Sequence, residues 1–172
     1  MSEARQAVLD AVRSRRSIRH YSDDPVSDDD VKAILEAGRW APSGLNNQPW
    51  RFGVVRDQDL KNTISELTRY REIIRNAPVI IAVFMDNDAG YDRVKDCQGI
   101  GACLQNMWLA THALDLGGVW LGEILKNKER VGEILEAPEP YELMAVFAVG
   151  HPKHRQQKSH RKELSELIFK EL

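Results

Sequence analysis

Apolar residues recur at three- and four-residue intervals over Ala4, Val8, Ala11 and Val12, which predicts an amphipathic first helix ending near Ser14. The segment Arg15 to Arg19 then falls at an element boundary, as a tightly placed loop. Ser27 followed by Asp28, Asp29 and Asp30 has the form of an N-cap with acids in the first helical turn, and Val31, Ile34 and Leu35 supply the buried face of a second helix. Pro42 stops it. Phe52 to Val55 reads as a short buried strand and Leu60 to Ile74 as one amphipathic helix. Val79 to Met85 is apolar at every position, the pattern of a central strand covered on both faces. From Val94 through Cys97, Gly101, Leu104, Trp108 and Thr111 to Leu114 the helical spacing continues for about six turns without proline. A helix of that length is expected to be the hub of the core, and Gly117-Gly118 ends it. A strand over Val119 to Leu121, a helix around Val131, Ile134 and Leu135, and a last strand over Leu143 to Val149 complete the order before a polar, basic tail.

That succession predicts an α+β fold with a mixed central β-sheet flanked by helices. No linker, internal repeat or low-complexity segment divides it, so residues 1–172 are read as a single domain. A content of 42% hydrophobic and 29% charged residues is that of a soluble globular chain. With a net charge of −2, the basic cluster around Arg15 is local, and nucleic acid is not an expected partner. Cys97 and Cys103 lie about 120° apart around a helix, which points to free thiols. No signal-type segment opens the chain and no window approaches the roughly 18 apolar residues of a membrane span, so a cytoplasmic location without a membrane partner is expected.

Arg15, Arg16, Ser17 and Arg19 put three guanidinium groups and a hydroxyl into five residues, a set able to hold a phosphate dianion by charge-assisted hydrogen bonds. A solvated basic loop is the competing reading. Pro42, Ser43, Gly44, Asn46 and Gln48 form a polar turn that offers neutral donors and acceptors to a heteroaromatic ring, and the same residues serve equally as a structural turn. Trp50 is assigned to core packing. Lys158, His160, Arg161 and Lys162 make a second basic knot, while His151, His154 and His160 lack metal-ligand spacing, so no metal site is expected. No nucleophile motif, Walker loop or Gly-x-Gly-x-x-Gly follows a strand, which leaves acyl transfer, phosphoryl transfer and a Rossmann site unsupported. The chemistry then has to come from a bound cofactor.

Arg15-Arg16-Ser17-Ile18-Arg19-His20-Tyr21 and Ala41-Pro42-Ser43-Gly44-Leu45-Asn46-Asn47-Gln48-Pro49-Trp50 stand in the order and spacing of two motifs of the FMN-dependent nitroreductase family. The chain resembles a short, single-domain member over nearly its whole length, through the helix after Asp92, Val119-Trp120-Leu121-Gly122 and the tail near Arg161. The resemblance implies an α+β fold in which two protomers intertwine as an obligate homodimer, with FMN in the groove between them. It implies that Arg15, Arg16, Ser17 and Arg19 bind phosphate and ribityl, and that Arg161 returns to the phosphate. It also implies that Pro42, Ser43 and Gly44 of one subunit approach the flavin held by the other, with Asn46 and Gln48 shaping that loop. By the same resemblance, backbone amides around Leu121 and Gly122 are expected beside the isoalloxazine, one near N5, so no side chain needs to be catalytic.

The activity so implied is ping-pong electron transfer from NAD(P)H through bound flavin to nitroaromatic, quinone or similar small acceptors. The alternative is an FMN-binding protein of the same fold with another role: flavin storage or sensing, dehalogenation, or flavin fragmentation. Only Asp86 to Tyr91 connects the central strand to the long helix, which leaves little room for a lid and predicts an open cleft with broad acceptor tolerance.

Overall fold

The computed structural model describes residues 3–171. In chain order these form α1 (Glu3–Ser14), α2 (Asp28–Arg39), β1 (Trp50–Val55), α3 (Gln58–Ser65), α4 (Arg71–Asn76), β2 (Val79–Asp86), α5 (Arg93–Ala113), β3 (Gly117–Leu121), α6 (Lys128–Ile134), β4 (Tyr141–Gly150) and α7 (Leu164–Leu167). Short 3-10 turns lie at Gly44–Asn46 and Glu123–Asn127.

The four strands make one sheet in the order β1-β2-β4-β3, and each neighbouring pair is antiparallel. The α+β class holds, but the mixed sheet is corrected. Within the described residues the only parallel pairing at this sheet is the isolated bridge of Ser17 to Gly118. Apolar runs reveal where strands lie; their directions depend on the end of the sheet to which each connection returns, and that is a tertiary property.

β2 is buried at all eight positions, as its continuous apolar pattern requires. Its side chains alternate between two cores. Ile80, Ala82 and Phe84 join Ile64, Ile74 and Val131 on the face covered by α3, α4 and α6. Val79, Ile81, Val83 and Met85 join Ile34, Ile100, Leu104 and Met107 on the face covered by α2 and α5. A bulge opposite Val83/Phe84 leaves Met144 outside the β2–β4 pairing and keeps both faces in phase. The α2–α5 contact is close because Gly38 lacks a side chain: a Cβ there would lie 2.8 Å from Met107 Cγ.

The single helix expected over Leu60 to Ile74 is two helices. Glu123 captures the intervening turn, its Oε2 accepting from Thr68 Oγ1 at 2.6 Å and from the Arg69 amide at 3.2 Å. Arg75 Nε then donates to Ser65 Oγ across the break. Periodicity persisted through this region because Ile64 and Ile73 face the same core from different helices.

Candidate functional site

Ile18 and Tyr21 are buried to 3% and 1% exposure, and they draw the segment after α1 onto the β3 edge. The Ile18 amide donates to the Gly118 carbonyl at 3.0 Å, and Ile18 packs where Gly117 leaves space: a Cβ on Gly117 would lie 2.7 Å from Ile18 Cβ. Tyr21 hydroxyl donates to the Ile18 carbonyl at 2.6 Å, locking the hinge, and burial pushes its pKa well above the ordinary value. Alternation along this stretch leaves Ser17 half-buried and Arg19 exposed.

The Arg15 guanidinium lies 4.0 Å over the Trp108 ring of α5. Its Nε and Nη1, together with Arg16 Nε, are buried without a hydrogen-bond partner. Arg16 Nη1 is spent on the Arg13 and Arg15 carbonyls. Burial, then the charges of Arg161 and Arg16, hold the Arg15 guanidinium below its ordinary pKa. Arg161 is exposed, and its charge acts on Arg15 although it lies far along the chain. A cavity of about 210 Å³ opens here, bounded by Arg15, Arg16, Trp108, His112, Arg155 and Gln157. Ser14 gives its one proton to the Asp10 carbonyl at 2.6 Å, so His112 Nε2, 2.8 Å away, must be the donor to Ser14 Oγ. Burial and then the Arg155 charge lower the His112 pKa, which keeps the ring neutral beside the arginines.

The second motif adopts strained backbone. Leu45, Asn46 and Gln48 have φ of 53°, 55° and 48°, all in the left-handed region. Asn47, which the sequence reading passed over, holds this loop: its Nδ2 donates to Asp96 Oδ1 at 2.7 Å and to the Ala89 carbonyl at 3.0 Å. Ser43 Oγ accepts the Gln48 amide at 3.0 Å, and Gln48 Nε2 donates to the Asn46 carbonyl. Asn46 and Gln48 are exposed, Pro42 is exposed, and Ser43 and Gly44 are half-buried, facing the start of α5. Trp50 is core, at 5% exposure.

At the third segment Leu121 is buried and Gly122 exposed. Gly122 has an ordinary φ of −102° and nothing within 4 Å of a Cβ built on it. The chain's own packing therefore does not require glycine there; its effect is to leave the backbone bare. Glu123 Oε1 accepts from Lys126 Nζ and its Oε2 from Thr68, and these hold its carboxyl at about 2.

The chain brings together the Arg15–Arg16 hinge, Arg161 and the Trp108 face of α5. It does not bring the Pro42–Gly44 turn to them. That turn packs near Gly99, nine positions before Trp108, on the order of 14 Å along the helix. Trp108, His112, Arg155 and Gln157 were missed as lining residues, although Trp108 and His112 stand four apart on one helical face, a signal present in the sequence. Among the described residues no group of three His, Cys, Asp or Glu side chains is placed to hold a metal.

Fold and site define a class: an α+β protein with a helix-flanked antiparallel sheet and a cationic hinge whose buried donors lack partners. More narrowly, the chain belongs to the nitroreductase family, whose model, described as Nitroreductase family, matches residues 12–70 and 65–151. A crystallised protein of Desulfovibrio desulfuricans, assigned as a nitroreductase and determined in complex with FMN, is 50% identical with a TM-score of 0.92, each chain covered to 96%. A protein of Archaeoglobus fulgidus, assigned as an NADH dehydrogenase/NAD(P)H nitroreductase, is 39% identical over 152 residues, 84% of this chain and 85% of its own. The FMN reductase [NAD(P)H] of Bacillus subtilis is 28% identical over 172 residues, 90% of this chain and 69% of its own.

Proposed function

We propose that the protein is an FMN-dependent oxidoreductase that takes electrons from NAD(P)H and passes them to nitroaromatic, quinone or similar small acceptors, working as a homodimer. The oxidoreductase class and the cofactor accord with family membership and with relatives crystallised with FMN or named for FMN reduction. The observation that carries the reading is the set of buried, unpartnered donors Arg15 Nε, Arg15 Nη1 and Arg16 Nε. Each charged donor left unpaired costs about 1–3 kcal/mol or more, and a phosphate beside the hinge would recover that cost.

FMN, when bound, supplies the redox centre. Arg15, Arg16 and Arg161 would hold its phosphate, and Ser17 and Arg19 its ribityl chain. The bare backbone at Leu121 and Gly122 would present amides to the ring edge, where a fixed dipole stabilises developing negative charge without a side-chain acid. Pro42, Ser43 and Gly44 would complete the site from the second protomer, with Asn46 and Gln48 shaping that loop. Two observations support the dimer. α1 has no buried residue and leaves Val8 and Val12 63% and 50% exposed, and the hinge and the Pro42 turn are separated within one chain. NAD(P)H and acceptor would then use the same open face in turn, the ping-pong order.

The purified protein is expected to be yellow and to bleach rapidly with NADH or NADPH. A colourless preparation that ignores added FMN would overturn the reading, and bound flavin that neither nicotinamide reduces would favour a storage, dehalogenation or fragmentation role. Arg15→Ala with Arg16→Ala should lower FMN affinity at least tenfold in a fluorescence titration while riboflavin affinity changes little. Unchanged FMN affinity would remove both arginines from the phosphate site.

A further inference from the structure

A second cavity, of about 280 Å³, opens between the Pro42–Gly44 turn and the first turns of α5, walled by Tyr91, Lys95, Gln98 and Gly99. Its aromatic wall stands directly over the turn: a Cβ added to Gly44 would lie 1.9 Å from the Tyr91 hydroxyl. One carboxylate ties wall and turn together. Asp96, only 3% exposed, accepts the Tyr91 and Asp92 amides on Oδ2 at 2.9 and 3.0 Å, and the Asn47 side chain on Oδ1 at 2.7 Å. Burial acts to raise its pKa, but the Asn47 amide, the two backbone amides and the Lys95 charge bring it below the ordinary value, so the tie stays charged near neutral pH.

Lys95 provides the cation of this cavity. Its Nζ lies 5.1 Å from the Tyr91 ring centroid, and among the described residues it forms no ion pair. The nearby acids are engaged elsewhere: Asp92 Oδ1 caps α5 by accepting the Lys95 amide at 3.1 Å, and both oxygens of Asp96 are taken. An exposed ammonium beside a half-exposed phenol ring, in a space at the small end of ligand pockets, matches one aromatic ring with a negative substituent.

We propose that this cavity is the acceptor subsite and that Lys95 and Tyr91 select planar aromatic acceptors bearing a carboxylate or similar anionic group. The inference rests on the flavin reading of Ser43 and Gly44 given above. Tyr91 stacks on the ring of the acceptor, Lys95 pairs with its anionic substituent, and Gln98 is free to hydrogen-bond a second polar group. Asp96 acts through the wall and the turn, as a positioning residue.

The test uses the FMN-loaded protein with 4-nitrobenzoate and 4-nitrobenzamide, which share shape and nitro group and differ in charge. The ratio of their kcat/KM values should favour the benzoate, and Lys95→Gln should reduce that ratio about tenfold, equivalent to about 1.4 kcal/mol. Lys95→Glu should reverse it. Binding is read independently of turnover from the flavin difference spectrum of the oxidised protein titrated with benzoate and benzamide. Equal treatment of the two pairs by the unmutated protein, or a ratio that Lys95→Gln leaves unchanged, overturns the subsite while FMN binding and bleaching by NAD(P)H uphold the proposed function. Failure to bind FMN at all overturns both.

Discussion

Asn47 and Asp96 show at the residue scale why a motif can be legible while its working parts are not. The loop was recognisable from Pro42, Gly44, Asn46 and Gln48, yet the residue that anchors it is the asparagine between them, whose partner lies 49 positions away. Nothing local marks such a pairing. Gly44→Ala should leave the unfolding free energy within about 0.5 kcal/mol of the original, because the clashing atoms are the end of a half-exposed Tyr91 that is able to swing out. The same change should weaken the benzoate preference. Tyr21→Phe should cost about 1–2 kcal/mol in urea unfolding, since it strips the Ile18 carbonyl of its buried donor. Cys103, fully buried with its thiol pushed up to about 12 by desolvation, should resist a thiol reagent in the native protein and react only after unfolding.

At the scale of elements, hydrophobic spacing located α2, β1, β2, α5, β3 and β4 because each presents an unbroken face to a core. It failed at α3–α4, where side-chain capture by Glu123 divides a periodic stretch. Glu142 is a comparable tie between β4, α5 and α6: Arg93 and then Lys128 donate to it and hold its carboxyl at about 2. A carboxyl depressed on folding stabilises the protein above its ordinary value of 4.5 and loses that contribution as pH falls toward about 2. Urea midpoints should therefore drop across that interval, and Glu142→Gln should flatten the drop. Gly150→Ala should be destabilising by about 1–3 kcal/mol, because the new Cβ would meet Pro78 Cδ at 2.5 Å and Tyr21 Cδ1 at 2.8 Å, neither free to move.

For the whole molecule, the question is how two half-sites at opposite ends of α5 become one. The proposed homodimer would answer it: Val8→Asp with Val12→Asp should yield monomers by sedimentation and lower FMN affinity at least tenfold, although neither residue lines the hinge cavity. The sequence by itself determined the α+β class, the places of most elements, the cationic hinge and the polar turn, because those follow from spacing and from the chemistry of neighbouring side chains. Only the tertiary structure decided strand direction, the stacking of Arg15 on Trp108, the Asp96 tie and the standing of Tyr91 over Gly44. Each of these joins groups far apart in the chain, and such contacts arise from packing two cores against one sheet, which local pattern does not encode.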